Sequence, residues 1–364
     1  KKGYFFQNQE LLILAPMISV ILFTEDRMNH LPIGKLHPQL LEILLNKIPQ
    51  NDNQVILGPG TGLDCSVIDF GDQYLVIKTD PISLTSQNIG RYAVEINVND
   101  IVTTGAKPQW MLTTLILPEN ETTFKDLEKI TEQLIEYTSK YGITIIGGHT
   151  EITSGCTRPI LSATLIGTVA KNKLISPAGV QIGDKIFLTK EIAIETISIL
   201  SNDFSLQLEQ VLTKEELKEA QNYINNPGIS VFKDATLIKE GFGITAMHDP
   251  TEGGIASALW ELSIASNKTL IIDPEKIPTS NLTKKICNYF SMNPINSISS
   301  GALLFSANPD RSKDIIKEFK DHNLPVSEIG IVQGDGFGVY LNTLPNQVAL
   351  PRPERDEITK IFQS

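Results

Sequence analysis

The chain of 364 residues is 41% hydrophobic and 20% charged, and its formal net charge is -11. This length indicates two domains with enough residues for a buried core, and the ordinary composition indicates a globular protein. The acidic balance, without any basic stripe, argues against a nucleic-acid backbone as the partner. The three cysteines, Cys65, Cys156 and Cys287, form no C-x-x-C pair. They provide neither a disulfide framework nor a zinc site, and they fit a reducing cytoplasm.

The first segment carries an apolar run, residues 11–23, that is too short to span a bilayer and is broken by Pro16. Its length would suit a signal-peptide core, but no small-residue cleavage site follows it. Ordinary sequence begins at Met28. We therefore interpret residues 1–27 as an extension outside the fold, with a docked strand as the alternative. We expect a cytoplasmic protein that does not bind a membrane.

From residue 28 onwards, the apolar spacing alternates between the period of a strand and that of a helix. The first half predicts helices at 40–48, 94–105 and 127–141, and strands at 74–80, 110–117, 143–146 and 160–169. Gly105 and Pro108 end the second of these helices, and Gly142 ends the third. This alternation predicts an α/β layered domain over residues 28–172.

A polar connection around Pro177 and Gly179 marks the boundary to the second half. The second half predicts strands at 185–189, 244–249, 270–272, 302–305, 329–332 and 338–341, and helices at 192–200, 214–224, 231–240, 254–265 and 311–320. We expect a second α/β domain over residues 173–345 and a C-terminal tail over residues 346–364.

Three aspartates of the first domain lie in apolar or glycine-rich surroundings. Asp64 follows a glycine-rich run, Asp80 ends an apolar strand, and Asp100 lies on a predicted helix. Burying a carboxylate is costly unless it is paired or binds a metal. The three aspartates together predict an oxygen-rich Mg²⁺ site that shares the ion with substrate phosphates. Each aspartate taken alone could instead simply cap or turn the chain.

Glycine-rich turns accompany these acids. The run at 58–62 lacks the Gly-Lys-Ser/Thr of a P-loop. Gly147 and Gly148 follow a strand, so their amides and Glu151 could face a ligand, although a tight turn is the alternative. Thr251 is placed to cap the helix predicted at 254, whose free N–H groups would suit an anion. The alternative is a cap and turn without a ligand.

Five motifs occur together and in one order: Gly62-Leu-Asp64, Lys78-Thr-Asp-Pro81, Asn97-Val-Asn-Asp100, Gly147-Gly-His-Thr-Glu151 and His248-Asp-Pro-Thr-Glu-Gly-Gly254. With this set, residues 28–364 resemble the aminoimidazole ribonucleotide (AIR) synthetase superfamily. That group includes thiamine-monophosphate kinase, selenophosphate synthetase and the hydrogenase-maturation carbamoyl dehydratase. The sequence is most similar to the last branch, a resemblance supported by Leu31-Pro-Ile-Gly-Lys-Leu36 and Pro351-Arg-Pro-Glu-Arg-Asp356.

The resemblance implies a two-domain AIR synthase-like fold of the α/β (α+β) class. In it, the N-terminal mixed-sheet domains of a homodimer close a shared barrel, and the C-terminal domain is α/β. It also implies ATP and Mg²⁺ as cofactors, bound in clefts between and along the domains, and a small-molecule or protein-borne acceptor. The shared reaction is ATP-dependent activation of a carbonyl, amide or phosphate oxygen. By resemblance the metal-binding residues are Asp64, Asp80 and Asp100, and the residues near the nucleotide are Asn97, Gly147, Gly148, Glu151 and Asp249.

One departure from the family pattern bears on the reaction. Nitrile-forming members carry their substrate on a C-terminal cysteine, whereas this sequence ends Lys360-Ile-Phe-Gln-Ser364 and its last cysteine is Cys287. We therefore expect phosphoryl-transfer machinery without the nitrile-forming step. A nucleotide-binding accessory or scaffold subunit without turnover is the alternative. ATP consumption by the pure protein would separate these two hypotheses.

Overall fold

Two mixed β-sheets, one after the other along the chain, form the framework of the protein. The computed structural model describes residues 31–49, 51–343 and 345–363. The extension interpreted at residues 1–27 lies outside the described residues. The first sheet is built from residues before 171 and the second from residues after 184. The domain boundaries proposed from the sequence stay predictions.

The first sheet has six strands in the spatial order β1-β2-β3-β6-β4-β5. These are β1 (Val55–Leu57), β2 (Ser66–Phe70), β3 (Gln73–Ile82), β4 (Lys107–Pro118), β5 (Thr144–Thr153) and β6 (Ile160–Ala170). The helices of this half are α1 (Pro38–Leu45), α2 (Ile89–Thr103) and α3 (Phe124–Tyr141). Strands β4 and β5 run parallel, and the other neighbours are antiparallel. The order leaves β5 at an edge, three strands away from β3.

The second sheet has seven strands in the order β13-β12-β9-β11-β7-β10-β8. These are β7 (Lys185–Thr189), β8 (Ile244–His248), β9 (Lys268–Ile272), β10 (Leu304–Ala307), β11 (Val326–Asp335), β12 (Gly338–Thr343) and β13 (Asn346–Ala349). The helices are α4 (Ile194–Asp203), α5 (Ser205–Leu208), α6 (Lys214–Gln221), α7 (Phe232–Ile238), α8 (Gly254–Ser266), α9 (Asn281–Tyr289) and α10 (Ser312–Asp321). Strand β8 lies at an edge, so its last residue, His248, faces the first half of the chain.

Helix α2 is buried along its whole length. Val94, Val98 and Ile101 recur at helical spacing and pack into the main core, as the sequence predicts. The helix begins at Ile89 and not at the predicted residue 94, because its buried first turns tolerate two charged residues, Arg91 and Glu95. Arg91 Nε donates to Glu95 Oε2 over 2.9 Å, one turn along the helix.

The same helix joins the two halves through polar contacts. Arg91 Nη1 donates to Asn225 Oδ1 over 2.6 Å. Asn99 Nδ2 donates to Ile229 O over 2.8 Å, and Asn99 Oδ1 accepts from Val231 N over 2.9 Å. Buried hydrogen bonds made to backbone groups fix relative position because leaving either group unpaired is costly. Helix α2 therefore holds the second half against the first sheet.

One predicted turn is wrong. The strand predicted at 143–146 continues as β5 to Thr153, so Gly147, Gly148 and Glu151 lie inside a strand. A Cβ on Gly148 would lie 2.2 Å from Thr113 O of the neighbouring strand. The glycine is therefore required for close approach of two strands, a known use of glycine in sheets.

Two further local predictions are wrong. Asp80 does not end its strand, because β3 continues to Ile82. Strand β2 pairs with β3 only as far as Ile77, so one edge of β3 is unpaired at Pro81, which suits a residue without an N–H. Helix α8 is capped by Gly253, in the left-handed conformation with φ of 80°, and not by the side chain of Thr251.

Candidate functional site

The end of β3 that extends past β2 carries two charged residues on one face. Lys78 and Asp80 are two positions apart, and side chains at that spacing point to the same side of a strand. Lys78 Nζ lies 3.3 Å from Asp80 Oδ2 and 3.0 Å from Asp100 Oδ2, which reaches this point from helix α2. Two of the three aspartates predicted to bind metal are thus brought together around a lysine.

Burial and mutual repulsion shift the pKa values of the charged groups in this cluster. Burial raises the pKa of Asp100 to about 7 against the opposing charge of Lys78, and Asp64 and Asp80 raise it further. Burial also raises the pKa of Asp80, again opposed by Lys78. Burial alone would lower the pKa of Lys78, but the three aspartates raise it well above its ordinary value. Within 4 Å, one ammonium group is shared by the two carboxyl groups of Asp80 and Asp100.

The third aspartate is held by the second half of the chain. His248 Nδ1 lies 3.1 Å from Asp64 Oδ2, and His248 Nε2 lies 2.9 Å from Glu261 Oε2 on α8. Burial alone would lower the pKa of His248, but the two carboxylates raise it to about 9, so the ring is charged at neutral pH. Burial alone would raise the pKa of Asp64, but His248 and Lys78 lower it. The charged histidine therefore ties the two halves together beside the cluster.

Two residues predicted near the nucleotide each present a buried oxygen without a hydrogen bond among the described residues. Asp249 Oδ2 accepts from Asn99 Nδ2 over 2.9 Å, while Asp249 Oδ1 has no such partner. Burial and, next, the charge of Asp100 raise the pKa of Asp249 well above its ordinary value. Asn97 Nδ2 donates to Ala93 O over 2.8 Å, and Asn97 Oδ1 is without a partner. Such orphaned acceptors are rare in folded proteins and indicate a missing cation or donor.

A cleft of about 190 Å³ opens beside these residues. Its walls include the glycine turn at 60–62, Lys35, Lys78 and a stretch of the C-terminal segment at 352–356. In that segment, Asp356 Oδ2 accepts from Gly253 N over 2.7 Å. The helix terminus that the sequence offers to an anion is therefore already capped by a carboxylate of the same chain.

The structure does not bring the glycine pair of β5 or Glu151 to this cluster. Across the first sheet, Asp80 pairs with Ala163, Ala163 pairs with Thr113, and Thr113 pairs with Gly148. Three strand spacings of about 4.8 Å put β5 about 14 Å from Asp80. The side chain of Glu151 is exposed there. Within one copy of the chain, the predicted site is divided into two parts.

The residues of the cluster fit a Mg²⁺ ion shared with a ligand, and they do not fit a preformed metal cage. Among residues 31–49, 51–343 and 345–363, no three histidine, cysteine, aspartate or glutamate side chains converge to hold a metal. Mg²⁺ is commonly bound through one or two carboxylates plus substrate phosphates and water. The partly exposed carboxylate of Asp80 and the orphaned Oδ1 of Asp249 are suitable oxygen donors for such a shared ion.

Several residues of the site are absent from the sequence prediction. Lys78 could have been found, because its spacing from Asp80 places both on one face of a strand. His248 lies in one of the five motifs, but the sequence gives it no role, and no sequence signal marks its contact with Glu261. That contact depends on a strand ending beside a helix of the second half, and spacing along the chain does not reveal it.

Family comparison agrees with this architecture. The N-terminal domain model of the AIR synthase related proteins matches residues 62–169, and the C-terminal domain model matches residues 181–342. The chain belongs to the AIR synthase related family. The predicted family and its two-domain mixed-sheet fold are confirmed.

Among similar proteins, one of Methanocaldococcus jannaschii named as a hydrogenase expression/formation protein, MJ0676, is 28% identical over 331 residues. The match covers 88% of this chain and 95% of that protein. Carbamoyl dehydratase HypE of Rhizobium leguminosarum bv. viciae is 24% identical over 326 residues, covering 87% of this chain and 89% of the relative. Over most of its length, the chain is thus similar to a protein named for hydrogenase formation and to a protein named as a carbamoyl dehydratase.

Solved structures support the same fold. A chain of the HypE–HypF complex superposes with a TM-score of 0.69 at 20% identity, covering 86% of this chain and 99% of that one. HypE in complex with ATP gives 0.66 at 18% identity, with 88% and 92% covered. AaThiL complexed with AMPPCP and TMP gives 0.67 at 20% identity, with 86% and 96% covered. Within the described ranges, no helix has the length and apolar character needed to cross a bilayer.

Proposed function

We propose that the chain is an ATP-dependent enzyme that transfers a phosphoryl group to a carbonyl, amide or similar oxygen of an acceptor. The observation that carries this proposal is the lysine held between two aspartates, with Lys78 Nζ at 3.3 Å from Asp80 and 3.0 Å from Asp100. Phosphoryl-transfer sites commonly combine a lysine that contacts the phosphates with aspartates that hold Mg²⁺. The name of the ATP-bound HypE structure gives this proposal further support.

Different residues of the chain would bind the metal ion, contact the phosphate and position the cleft. Asp80 and Asp100, with Asp249 from the second half, would hold Mg²⁺, which neutralises phosphate charge and orients a transfer in line. Lys78 would contribute a fixed positive charge to the transferred group, and its surrounding carboxylates hold it in place before the ligand arrives. The charged His248 keeps Asp64 and the glycine turn at 60–62 against the second half, which sets the width of the cleft.

We infer that the chain forms a homodimer through β5. This strand is exposed from Thr144 to Ile152, and no described strand pairs with its outer edge. It carries Ile146, 52% exposed, and Ile152, 55% exposed. A long apolar edge strand promotes aggregation unless another strand covers it. Light scattering that reports a monomer at micromolar concentration would contradict this inference. The cytoplasmic location expected from the sequence stays a prediction.

The test of the phosphoryl-transfer proposal is an Asp80→Asn variant, with Asp69→Asn as the matched control. Asp69 lies on β2 of the same sheet and pairs with Lys171 at the surface, at 2.6 Å. In calorimetry we expect Asp80→Asn to weaken Mg·ATP binding by roughly tenfold or more, since a carboxylate–metal contact is lost. The control should bind as wild type does.

Circular dichroism would establish that both variants keep the fold. Unchanged nucleotide affinity in Asp80→Asn would refute the assignment of this aspartate.

ADP release in a screen of acceptors distinguishes an ATP-dependent enzyme from a nucleotide-binding accessory subunit. A protein that binds Mg·ATP but releases no ADP with any acceptor would support the accessory alternative.

A further inference from the structure

Asn99 of α2 contacts the second half of the chain at two places. Its side chain is fully buried, its Nδ2 donates to Ile229 O over 2.8 Å, and its Oδ1 accepts from Val231 N over 2.9 Å. A backbone carbonyl accepts and a backbone N–H donates, so these two bonds fix which way the amide faces. The other hydrogen of Nδ2 is then available for Asp249, whose Oδ2 lies 2.9 Å away.

The backbone around Asp249 is held on both sides. His248, the last residue of β8, pairs with Leu304 of β10. On the other side, Pro250 O accepts from Ser299 N over 3.2 Å, and a proline also restricts the backbone of the residue before it. With the backbone fixed and Oδ2 bonded to the amide, the carboxylate is held in one orientation. Its Oδ1 is the oxygen left without a hydrogen bond among the described residues.

The other two carboxylates proposed to hold the metal ion resemble Asp249 in one respect. Lys78 Nζ lies 3.3 Å from Asp80 Oδ2 and 3.0 Å from Asp100 Oδ2. Each of the three carboxylates therefore has one oxygen beside a nitrogen of the protein and one oxygen left for a ligand. Mg²⁺ requires near-ideal octahedral coordination, whereas the larger Ca²⁺ takes more oxygens and accepts bidentate carboxylates. A set of single oxygens suits Mg²⁺ better than Ca²⁺.

We propose that Asn99 is a positioning residue that makes the candidate site select Mg²⁺ over Ca²⁺, because its N–H group restricts Asp249 to coordination through one oxygen. The proposal rests on the proposed function, in which Asp249 helps to hold the metal ion of Mg·ATP. Asn99 is neutral, so replacing it leaves the charge of the cluster unchanged, whereas replacing Lys78 does not. A shorter side chain at position 99 would release Oδ2, and Asp249 would then present both oxygens to the larger ion.

Titration calorimetry with AMPPCP, in Mg²⁺ or in Ca²⁺, tests the proposal on wild type, Asn99→Ala and Asn99→Ser. Both new side chains are shorter by the amide group that contacts Asp249, and the serine variant keeps a polar group if the alanine variant does not fold. Ser230→Ala is the matched control. It removes the hydrogen bond that Tyr141 Oη donates to Ser230 Oγ over 2.9 Å, on the same backbone segment that Asn99 holds, and it leaves the contact with Asp249 intact. Thermal unfolding establishes that each variant is folded.

We expect wild type to bind AMPPCP more tightly with Mg²⁺ than with Ca²⁺. Removing a group that orients a metal ligand typically lowers metal affinity by about tenfold or more. Asn99→Ala and Asn99→Ser should therefore weaken binding with Mg²⁺ by about tenfold and leave binding with Ca²⁺ unchanged or tighter. The ratio of the two affinities should fall accordingly, and Ser230→Ala should keep the ratio of wild type.

Equal weakening with both metal ions in the Asn99 variants would overturn the proposal, because it would show that the residue merely joins the two halves. An unchanged ratio, or a wild type without preference for Mg²⁺, would overturn it as well. Wild type that does not bind AMPPCP with either ion would refute the proposed function and this inference together. A protein whose preference for Mg²⁺ depends on Asn99, but which releases no ADP from ATP with any acceptor, would support the role of Asn99 and refute the proposed function.

Discussion

Replacing Lys78 by methionine removes the charge at the centre of the aspartate cluster and keeps most of the side-chain volume. In the native protein the side chain of Lys78 is 14% exposed and that of Asp100 is 2% exposed. Asp100 would lose its only cation within 4 Å among the described residues. Breaking a buried pair from one side costs about 3–5 kcal/mol, because the remaining charge is uncompensated.

The loss should depend on pH, because Asp100 can bind a proton. A group whose folded-state pKa is raised contributes stability that is complete below the unfolded value, 3.8, and is lost as pH rises through the folded value, about 7. Without Lys78 the folded pKa of Asp100 rises further. We therefore expect a loss in the free energy of unfolding of ~1 kcal/mol near pH ~6 and ~3 kcal/mol near pH ~8.5.

Urea unfolding followed by tryptophan fluorescence measures this effect in the correct half of the protein. The chain has two tryptophans, Trp110 on β4 and Trp260 on α8, so a Trp260→Phe background leaves a reporter in the first sheet alone. Lys171→Met is the control, because Lys171 pairs with a carboxylate at the surface, and it should not change stability measurably. An equal loss at both pH values, or a loss below ~1 kcal/mol at the higher pH, would refute this account of the cluster.

Ile146→Asp should convert the dimer to monomers in sedimentation velocity, because it introduces a charge on the exposed edge strand. Ile316→Asp, at an exposed position on α10, should leave the assembly unchanged; a dimeric Ile146→Asp protein would place the interface elsewhere. Replacing Cys65, Cys156 and Cys287 together by serine should preserve ATP-dependent activity, since Cys65 and Cys287 are buried and Cys156 is only partly exposed. Mass spectrometry that detects a carbamoyl adduct on any of the three would restore the nitrile-forming reaction.

Local patterns predict the elements whose stability is local. The spacing of Val94, Val98 and Ile101 predicts α2 because one face of that helix packs on the sheet. Gly142 correctly marks the end of α3, where it adopts a left-handed conformation. Prediction from local patterns fails for strand β5. Gly148 interrupts its apolar pattern, but parallel pairing with β4 keeps the chain extended. Pairing with β4 determines the conformation of that segment, so a prediction from local propensity is wrong there.

In the candidate site, too, some residues can be predicted from local sequence and others cannot. Asp64, Asp80 and Asp100 are found from sequence, because carboxylates in apolar surroundings are conspicuous. Of their cationic partners, Lys78 lies two residues before Asp80 on β3, whereas His248 reaches Asp64 from the second half of the chain. Spacing could therefore have placed Lys78 beside the acids, but the histidine comes from an element distant in sequence.

The strand order of the second sheet also governs when the site is assembled during synthesis. All strands of the first sheet exist once residue 170 has been made. Among the described strands of the second sheet, β7 pairs with β10 and β11 and β8 pairs with β10 alone, so neither can pair until residues beyond 303 have been made. A nascent chain of intermediate length therefore exposes α2 and unpaired strands, which is the kind of surface that chaperones bind. The cleft wall at Asp356 follows all of these strands along the chain. Chains that end before residue 303 should accordingly be inactive and prone to aggregate.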